Sequence, residues 1–488
     1  MSESASPLVT PTETPAVGPR TRVARAGALA LRLAERKVIL FLADMAAVAA
    51  ALLLVLHVRF QAPLSWTTVM RERGWFLLLG GLWVAVASLL DTYDLRRASR
   101  ITSGVSTAMA AAVGTAAAYL LIPYITPPLH QSRLTAVLFV GAMLGLVAVG
   151  RAAYAALLVQ PTFRHRVLIV GAGQAGQALV DAIRAHAGVE YEVVGFVDDA
   201  AGHGQSAVHG VPVLGTTHDL VQVAERYGVA EVVLAATHPD GRSPSLVHAL
   251  IDCRERGIHV SEMPAIYERL TGRVPIAHVG SNVPMVLAAG HDSHRLYAVV
   301  KRITDLVMGL AGLAALVLVL PVVAVLIRLD SPGPVFYRQV RLGRGGRPFV
   351  LRKFRTMRVD AEDDGPQWAA LDDPRVTRIG RWLRRLHLDE LPQALNLLRG
   401  EMSCVGPRPE RPEFVAALAR QVPFYRARHA VRPGVTGWAQ VNYPYGSSLE
   451  DALVKLEYDL YYIRHCSAAL DATILLRTIG VVVSLRGR

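Results

Sequence analysis

Four long apolar runs in the first third of the chain limit what it can fold into. They occupy residues 38–58, 75–90, 104–125 and 134–159. A helix needs about 20 mainly apolar residues to cross a bilayer, and each run reaches or approaches that length. We therefore predict a bundle of four transmembrane helices over residues 38–160, in a chain of which 52% of the residues are hydrophobic.

Basic residues around these runs predict the orientation of the helices. Arginine and lysine precede the first run, recur between the second and third, and follow the fourth, whereas the loop after the third run has only Arg133. Because cytoplasmic loops are rich in basic residues, we expect the N-terminus and everything after residue 159 in the cytoplasm. Residues 1–37 are basic, begin with many Ser, Thr and Pro residues, and are predicted to be disordered.

The composition narrows the class of partner. The formal net charge is +13, and only four of the 52 basic residues are lysines: Lys37, Lys301, Lys353 and Lys455. A basic chain attracts anionic lipid, phosphate or nucleic acid. The apolar content argues against a free nucleic-acid-binding protein, so we expect lipid and phosphate and no nucleic acid. The three cysteines have no metal or redox spacing, which is typical of a reducing compartment.

A glycine-rich turn follows the membrane segment. The stretch HRVLIVGAGQAGQALVDAI predicts a buried strand, a turn and a helix, with Gly171, Gly173 and Gly176 in a G-x-G-x-x-G arrangement. A second strand ends at Asp198, 22 residues after the last glycine. Such a turn can hold a pyrophosphate, with the acidic residue near a ribose, or it can serve tight turning alone. We predict a Rossmann-like α/β domain over residues 164–285 and leave nucleotide binding open.

A fifth apolar run, residues 303–327, has cations at both ends. Lys301 and Arg302 precede it, four arginines follow within 17 residues, and Pro321 lies inside it. Two basic flanks predict that both ends are cytoplasmic, and an internal proline bends or breaks a helix. We therefore predict a re-entrant membrane hairpin over residues 297–328 that turns at Leu320 and Pro321.

The remaining residues, 329–488, are predicted to form a small α/β domain with several cationic motifs. The motif KFRTM contains Lys353 and Arg355, and two cations around an aromatic residue can bind a phosphate. Further along the chain, Arg384 precedes an Asp-Glu pair, and Arg408 lies between two prolines that stiffen its backbone. These four basic side chains are candidate phosphate ligands.

The Asp-Glu pair itself, Asp389 and Glu390, comes directly before Leu391 and Pro392. Proline suits the first turn of a helix, so the two carboxylates could simply cap that helix. Two carboxylates can also hold Mg²⁺ together with substrate phosphates. One of them could instead attack phosphorus and form an acyl phosphate. The nearby arginines favour a reaction centre, although the residues alone leave all three interpretations open.

Four motifs, KFRTM, LDELPQ, GPRP and RPGVTGWAQV, occur in this order after a proline-broken apolar run. In these motifs, residues 297–488 resemble the bacterial sugar transferase family of polyprenyl-phosphate hexose-1-phosphate transferases, which are monotopic phosphoglycosyl transferases. Four spans plus a Rossmann-like domain resemble the large form of that family, which begins exopolysaccharide, capsule or O-antigen synthesis. The resemblance implies a multi-pass protein of the bacterial cytoplasmic membrane with its catalytic domain on the cytoplasmic face.

The resemblance also implies a reaction and its residues. A UDP-sugar, most simply UDP-glucose with UDP-galactose next, gives its hexose-1-phosphate to undecaprenyl phosphate and releases UMP. By the same resemblance, Asp389 is the covalent nucleophile, Glu390 assists with Mg²⁺ and proton transfer, and both are metal ligands. Arg384 and Arg408 bind phosphate, and Lys353, Arg355 and Asp459 are further members of the site.

Two other functions compete with this one. The glycine-rich turn would suit a membrane-tethered, NAD-dependent nucleotide-sugar dehydratase or epimerase, for which Tyr297 and Lys301 have the required Tyr-x-x-x-Lys spacing. That pair lies outside the predicted sheet domain, and the interpretation leaves residues 329–488 unexplained. The chain could also be a non-enzymatic scaffold that senses a nucleotide. A homodimer is left open as the oligomeric state.

Overall fold

The fold is described from a computed structural model. The structure describes residues 33–483 except 91, 100, 123–125, 128, 130–131, 159–163, 189, 201–206, 236–243, 279–294, 364, 366, 368–372, 444–445 and 447. The predicted disorder of residues 1–37 therefore concerns residues that lie almost entirely outside the described part, and so does the predicted end of the second domain at residue 285.

The four predicted spans are helices. They are α1 (Leu33–Phe60), α3 (Arg73–Leu89), α5 (Ile101–Leu120) and α6 (Arg133–Leu158), with short helices α2 (Trp66–Arg71) and α4 (Leu95–Ala98) between them. α1, α5 and α6 are long and apolar enough to cross a membrane, whereas α3 is shorter. Small residues of α5, such as Ala108, Ala112 and Ala116, are fully buried, which lets the helices approach closely.

One ion pair is buried inside this bundle. The guanidinium of Arg151 on α6 donates to both carboxylate oxygens of Asp44 on α1, at 3.2 and 2.5 Å, and to the backbone carbonyl of Thr92 at 3.0 Å. Charged residues in a membrane bundle are stable only when they are paired in this way. The pair therefore joins the first and last helices of the bundle.

The second domain is a doubly wound α/β sheet, as predicted. Its strands are β1 (His165–Val170), β2 (Tyr191–Val197), β3 (Ala207–Val208), β4 (Val211–Gly215), β5 (Glu231–Leu234) and β6 (His259–Glu262), in the order β3-β4-β2-β1-β5-β6. All neighbours are parallel except the β3–β4 pair. Helices α7 (Gln174–His186), α8 (Leu220–Arg226), α9 (Pro244–Glu255) and α10 (Met263–Thr271) cover its faces.

The fifth apolar run lies in a single helix, α11 (Arg295–Asp330), of 36 residues. The segment of the predicted hairpin, with its turn at Leu320 and Pro321, is one helix that continues through Pro321, and the re-entrant path through the membrane stays a prediction. A proline inside a helix costs about 3 kcal/mol. Packing on both sides of it offsets that cost, since Leu316, Val323 and Ile327 pack in one cluster with residues of the next domain.

The C-terminal domain begins with an antiparallel hairpin, β7 (Phe336–Leu342) and β8 (Pro348–Phe354). Then follow α12 (Arg378–Arg385), a 3₁₀ segment (Leu388–Gln393), α13 (Ala394–Arg399), α14 (Pro412–Gln421), α15 (Trp438–Asn442), α16 (Leu449–His465) and α17 (Ala468–Val483). A short parallel pair, β9 (Ser403–Val405) and β10 (Gly434–Thr436), lies between α13 and α15 in the chain. The hydrophobic core gathers around β9, α14 and α16.

The first half of α11 also binds this domain. The guanidinium of Arg302 donates to the carbonyls of Leu397 and Leu398 at 3.0 and 2.9 Å, at the end of α13. Asp305 accepts from the hydroxyl of Ser403 and the backbone N–H of Cys404, both at 2.8 Å. The C-terminal domain is therefore attached to α11 near both ends of the helix.

Candidate active site

The local backbone brings the two carboxylates to the end of β8. His387, which precedes the 3₁₀ segment, has a left-handed backbone with φ of 55°. A non-glycine residue in that region is strained, and such strain is often found at functional sites. The turn lets the chain reverse after α12, so that the 3₁₀ segment carries Asp389 and Glu390 against β8 and Phe354. The role of His387 in this turn could not be predicted from the sequence, because it depends on the backbone angle φ that the residue adopts in the fold.

Glu390 forms the centre of an ion cluster. Its Oε1 accepts from the ammonium of Lys353 at 2.6 Å and from the guanidinium of Arg408 at 2.9 Å. Burial alone would raise the pKa of the Glu390 carboxyl, but these two cations hold it well below its usual range. Glu390 is thus ionised and fixed in position. The structure therefore brings together three of the residues that the sequence predicted.

Asp389 lies beside this cluster in different surroundings. The residue is only 8% exposed, and within the described part of the chain its carboxylate makes no hydrogen bond or ion pair. Burial raises the pKa of Asp389, and the neighbouring Glu390 raises it further, while Lys353, Arg384 and Arg408 oppose the rise. A carboxylate that is held near three cations but bonded to none can attack an electrophile that those cations bind.

The other predicted arginines have different positions. The guanidinium of Arg384 donates through Nε to the hydroxyl of Thr356 at 2.9 Å, and its charge acts on Asp389. The guanidinium of Arg355 instead donates to the carbonyls of Pro332 and Ser331 at 2.5 and 2.7 Å, and the residue is 5% exposed. The structure does not support Arg355 as a phosphate ligand, because its terminal nitrogens hold the chain just after α11.

Behind the site, a buried arginine that the sequence did not reveal supports Arg408. The guanidinium of Arg428 donates to the backbone carbonyl of Arg408 at 3.1 Å, the hydroxyl of Tyr425 at 2.6 Å and the carboxylate of Asp459 at 2.8 Å. Burial raises the pKa of Asp459 to about 6. Asp459 therefore acts through Arg428 on the backbone of Arg408. The sequence did not point to Arg428, because it is one arginine among many in an arginine-rich chain.

The chemistry of the two carboxylates fits a Mg²⁺ ion that takes its other ligands from substrate phosphates and water. Asp389 has no bonded partner among the described residues, and the two contacts of Glu390 use only Oε1. No cluster of three or more His, Cys, Asp or Glu residues that could hold a metal occurs in the described ranges. A metal here would therefore depend on the substrate for most of its ligands.

The glycine-rich turn of the second domain has a clear structural role. Gly171 has φ of 104°, and a Cβ on Gly176 would lie 2.1 Å from the carbonyl oxygen of Gly171. The carboxylate of Asp198 accepts from the backbone N–H of Ala172 at 2.6 Å and so fixes the turn to β2. A Cβ on Gly173 would meet nothing within 4 Å. Tight turning explains Gly171 and Gly176, and nucleotide binding stays a prediction.

Tyr297 and Lys301 belong to the C-terminal domain rather than to the sheet domain. Both side chains bind the carboxylate of Asp471, at 3.1 and 2.8 Å, and Lys301 also donates to the carbonyl of Val405 and the hydroxyl of Tyr462. The bonds that they make therefore join α11 to β9, α16 and α17. This arrangement gives no support to a catalytic Tyr-x-x-x-Lys pair.

Two family models match the chain. Residues 296–485 match one described as bacterial sugar transferase, and residues 88–242 match one described as a CoA-binding domain. The second match covers the sheet domain up to β5 and extends back into the helix bundle. The first match contains every residue of the ion cluster around Asp389 and Glu390.

Curated relatives match longer stretches. A UDP-N-acetylgalactosamine-undecaprenyl-phosphate N-acetylgalactosaminephosphotransferase of Aeromonas hydrophila is 41% identical over 257 residues, 52% of this chain and 59% of that protein. A UDP-glucose:undecaprenyl-phosphate glucose-1-phosphate transferase of Escherichia coli K12 is 35% identical, over 65% of this chain and 67% of that protein. An undecaprenyl-phosphate glucose phosphotransferase of Komagataeibacter xylinus is 36% identical, over 66% of this chain and 60% of that protein. The aligned stretches thus span 59–67% of these relatives.

Proposed function

We propose a function from one premise: this chain belongs to the bacterial sugar transferase family. The protein transfers a hexose-1-phosphate from a UDP-sugar to undecaprenyl phosphate and releases UMP. The observation that carries this proposal is the buried carboxylate of Asp389, which lies beside the Lys353–Glu390–Arg408 cluster without a bond of its own. The transfer is the first membrane step in making an exopolysaccharide, a capsule or an O-antigen.

The reaction proceeds in two displacements at one phosphorus atom. A carboxylate oxygen of Asp389 attacks the β-phosphorus of the UDP-sugar, the bond from that phosphorus to the bridging oxygen breaks, and UMP leaves with the bond's electron pair. The sugar phosphate is then held on Asp389 as an acyl phosphate. An oxygen of undecaprenyl phosphate attacks the same phosphorus, the bond to Asp389 breaks, and the free carboxylate returns.

The basic residues position and stabilise the transferring group. Phosphoryl transfer depends mainly on placed positive charge around the phosphate oxygens. Lys353 and Arg408 are fixed by Glu390, and Arg384 contributes a third cation next to Asp389. A Mg²⁺ ion held by Asp389 and Glu390 would supply further charge neutralisation for the diphosphate. Arg428 and Asp459 hold the backbone of Arg408 in place.

The location of the protein supports a lipid acceptor. Four helices of the described part are long and apolar enough to cross a membrane by length and composition, including α11. We place the protein in the bacterial cytoplasmic membrane with the C-terminal domain on the cytoplasmic face, where nucleotide-sugars are made. Both halves of α11 bind that domain, which supports the same side for both ends of the helix.

Glucose is the proposed sugar. Three of the relatives that are named for glucose transfer are 35–37% identical to this chain. One named for N-acetylgalactosamine is 41% identical over a shorter stretch, so that sugar is the second candidate. A panel of UDP-glucose, UDP-galactose and UDP-N-acetylgalactosamine separates them, and we expect the highest rate of UMP release with UDP-glucose.

The test of the function uses the full chain in lipid nanodiscs with UDP-sugar, undecaprenyl phosphate and Mg²⁺. We expect UMP release that Asp389→Asn reduces by at least about 10³-fold, because the amide cannot form the acyl phosphate. Incubation with radiolabelled UDP-glucose but no lipid acceptor should label the protein, and the variant should stay unlabelled.

The matched control is Asp360→Asn, which removes an exposed carboxylate of the same domain. We expect its activity to equal that of the unmodified protein. Undiminished UMP release by Asp389→Asn would refute the covalent mechanism. The absence of UMP release by the unmodified protein with all three UDP-sugars would refute the transferase and favour a scaffold.

A further inference from the structure

A second cationic region of the C-terminal domain is an open cleft at the turn of the β7–β8 hairpin. The cleft has a volume of about 640 Å³. Three segments line it: the hairpin turn, the end of α13 and the first residue of the RPGVTG motif. The charged side chains that line it are Arg344, Arg347, Arg399, Glu401 and Arg432. We call it the arginine cleft.

The four arginines of this cleft have in common that their side chains lack a partner among the described residues. Within the described part of the chain, none of the guanidinium groups of Arg344, Arg347, Arg399 and Arg432 makes a side-chain hydrogen bond or an ion pair. The one acidic side chain of the cleft is already engaged, because Glu401 accepts from the amide of Asn396 at 2.6 Å. Four arginines that line one open space favour a ligand with phosphate oxygens.

The arginine cleft is separate from the reaction centre. Lys353, which binds Glu390, lies near the far end of β8, whereas Phe349 lines the cleft. The two residues are four positions apart on the strand, which is a distance of about 13 Å. None of the residues that line the cleft belongs to the ion cluster of Glu390.

An apolar surface lies next to the cleft. Arg302 of α11 donates to the last carbonyls of α13, and a Cβ on Gly400, which lines the cleft, would lie 3.5 Å from the Arg302 guanidinium. Within one turn of Arg302, α11 exposes large apolar side chains, among them Val299 at 54% and Ile303 at 56%. The acyl chains of a lipid can pack on such an apolar surface, whereas a soluble nucleotide has no apolar chain to place there.

We propose that the arginine cleft binds the phosphate of an anionic phospholipid headgroup, with the acyl chains along the exposed face of α11. Basic pockets beside membrane segments recognise such headgroups by charge. The bound lipid fixes the C-terminal domain to an anionic leaflet at a place other than the reaction centre. This inference is independent of the transferase activity.

The test measures lipid binding directly on the full chain. Delipidated protein in mild detergent is titrated with dioleoyl phosphatidylglycerol, dioleoyl phosphatidylcholine or inorganic pyrophosphate, and bound ligand is counted by native mass spectrometry. The variant is Arg344→Gln/Arg347→Gln/Arg399→Gln/Arg432→Gln. The matched control is Arg420→Gln/Arg426→Gln, which removes two exposed arginines elsewhere in the domain.

We expect phosphatidylglycerol to bind the unmodified protein and the control at least tenfold more tightly than it binds the cleft variant, with phosphatidylcholine binding equally weakly to all three. Equal phosphatidylglycerol affinity for all three proteins would overturn the proposal. So would a cleft-dependent site for pyrophosphate that phosphatidylglycerol does not compete for, because the ligand would then be a soluble phosphate. The two-site variants Arg344→Gln/Arg347→Gln and Arg399→Gln/Arg432→Gln repeat the comparison if the fourfold variant does not fold.

Discussion

Asp389 and Glu390 are neighbours in the chain, yet their carboxylates have different surroundings. Glu390 binds two cations directly, so its charge serves to hold Lys353 and Arg408 in place. Asp389 is buried beside the same cations without a bond to them. One carboxylate therefore builds the cationic site, and the other is free to react in it. Both residues follow the left-handed backbone of His387, which begins their 3₁₀ segment.

Replacing Lys353 tests whether Asp389 and Glu390 have these different roles. Lys353→Met removes the cation that lowers the pKa of Asp389 most, so that pKa rises further. Because the proposed mechanism needs Asp389 in its ionised form, we expect the acidic limb of the pH–rate profile to move to higher pH. We also expect UMP release at neutral pH to fall by about 10²-fold, since one phosphate-stabilising charge is lost.

The neighbouring arginine provides the control for this change. Arg352 lies one residue earlier on β8, where side chains point to the other face, and its guanidinium donates to the carbonyl of Val350. Arg352→Met should leave the position of the acidic limb unchanged. An unshifted limb in Lys353→Met would show that Lys353 does not act on Asp389.

At the scale of elements, the turn between β1 and α7 shows how a strand and a helix approach each other. A Cβ on Gly176 would lie 2.1 Å from the carbonyl oxygen of Gly171 and 3.0 Å from the ring of Phe196. We expect Gly176→Ala to destabilise the sheet domain by roughly 2 kcal/mol or more, because backbone must move to admit the methyl group. Limited proteolysis of the full chain against temperature measures the loss.

Gly173→Ala is the matched control, because a Cβ there would meet nothing within 4 Å. We expect its proteolysis profile to stay within about 0.5 kcal/mol of the unmodified protein. Equal profiles for the two variants would mean that the close approach at Gly176 does not hold the domain together.

The contacts of α11 with the C-terminal domain predict its membrane topology. Both of its halves bind the C-terminal domain, through Arg302 at one end and Ile327 at the other. We therefore expect residue 344 to be cytoplasmic even though the helix has 36 residues. A cysteine in place of Arg344, with Cys466 replaced by serine, should not react with an impermeant maleimide in intact cells and should react in inverted vesicles.

Thr67→Cys, in the short helix α2 between α1 and α3, is the control that should react in intact cells, because the connection after α1 is predicted to face outward. Labelling of the cysteine at residue 344 from outside would mean that α11 spans the membrane. The catalytic domain would then be on the wrong side for cytoplasmic nucleotide-sugars.

The sequence predicted these elements to different extents. The four apolar runs and the strand before Gly171 were predicted correctly, because hydrophobic length and periodicity are local properties. The sequence did not predict that α11 stays helical through Pro321, where its residues pack on Phe354 and Leu383. The placement of Arg355 and the role of Arg428 could not be predicted either, since each depends on which carbonyl the folded chain brings within reach.

At the scale of the whole molecule, charged contacts join the sheet domain to the C-terminal domain. Arg464 and His465 of α16 both bind the carboxylate of Glu268 on α10. Arg273 lies 3.2 Å from the carboxylate of Glu457, and the indole of Trp438 donates to the carbonyl of Gly272 at 2.9 Å. The segment after α10 is therefore fixed to the catalytic domain through side chains of α15 and α16.

Glu457 makes this contact sensitive to pH. Burial raises its pKa from 4.5 to about 7, and the charge of Arg273 opposes that rise. Because the folded state binds the proton more tightly, the stabilising contribution of this carboxyl is complete below pH 4.5 and is lost as the pH rises through about 7. We expect Glu457→Gln to remove that loss, which amounts to about 3 kcal/mol at most.

The measurement compares the midpoint of thermal unfolding at pH 5 and pH 8 for detergent-solubilised protein. The variant should lose less stability over this interval than the unmodified protein does. Glu450→Gln, an exposed change on the same helix, should behave like the unmodified protein. Identical pH dependence in all three proteins would rule out Glu457 as the titrating group.

The attachment of α11 to its domain at both ends has a mechanical consequence. A helix of 36 residues is about 54 Å long, and a domain held near residues 302 and 327 cannot tilt without tilting the helix as well. The depth to which the apolar face of α11 sinks into the lipid therefore sets the height of Asp389 above the bilayer. Bilayers of different acyl length should thus change how often the phosphate of a lipid acceptor comes level with that carboxylate.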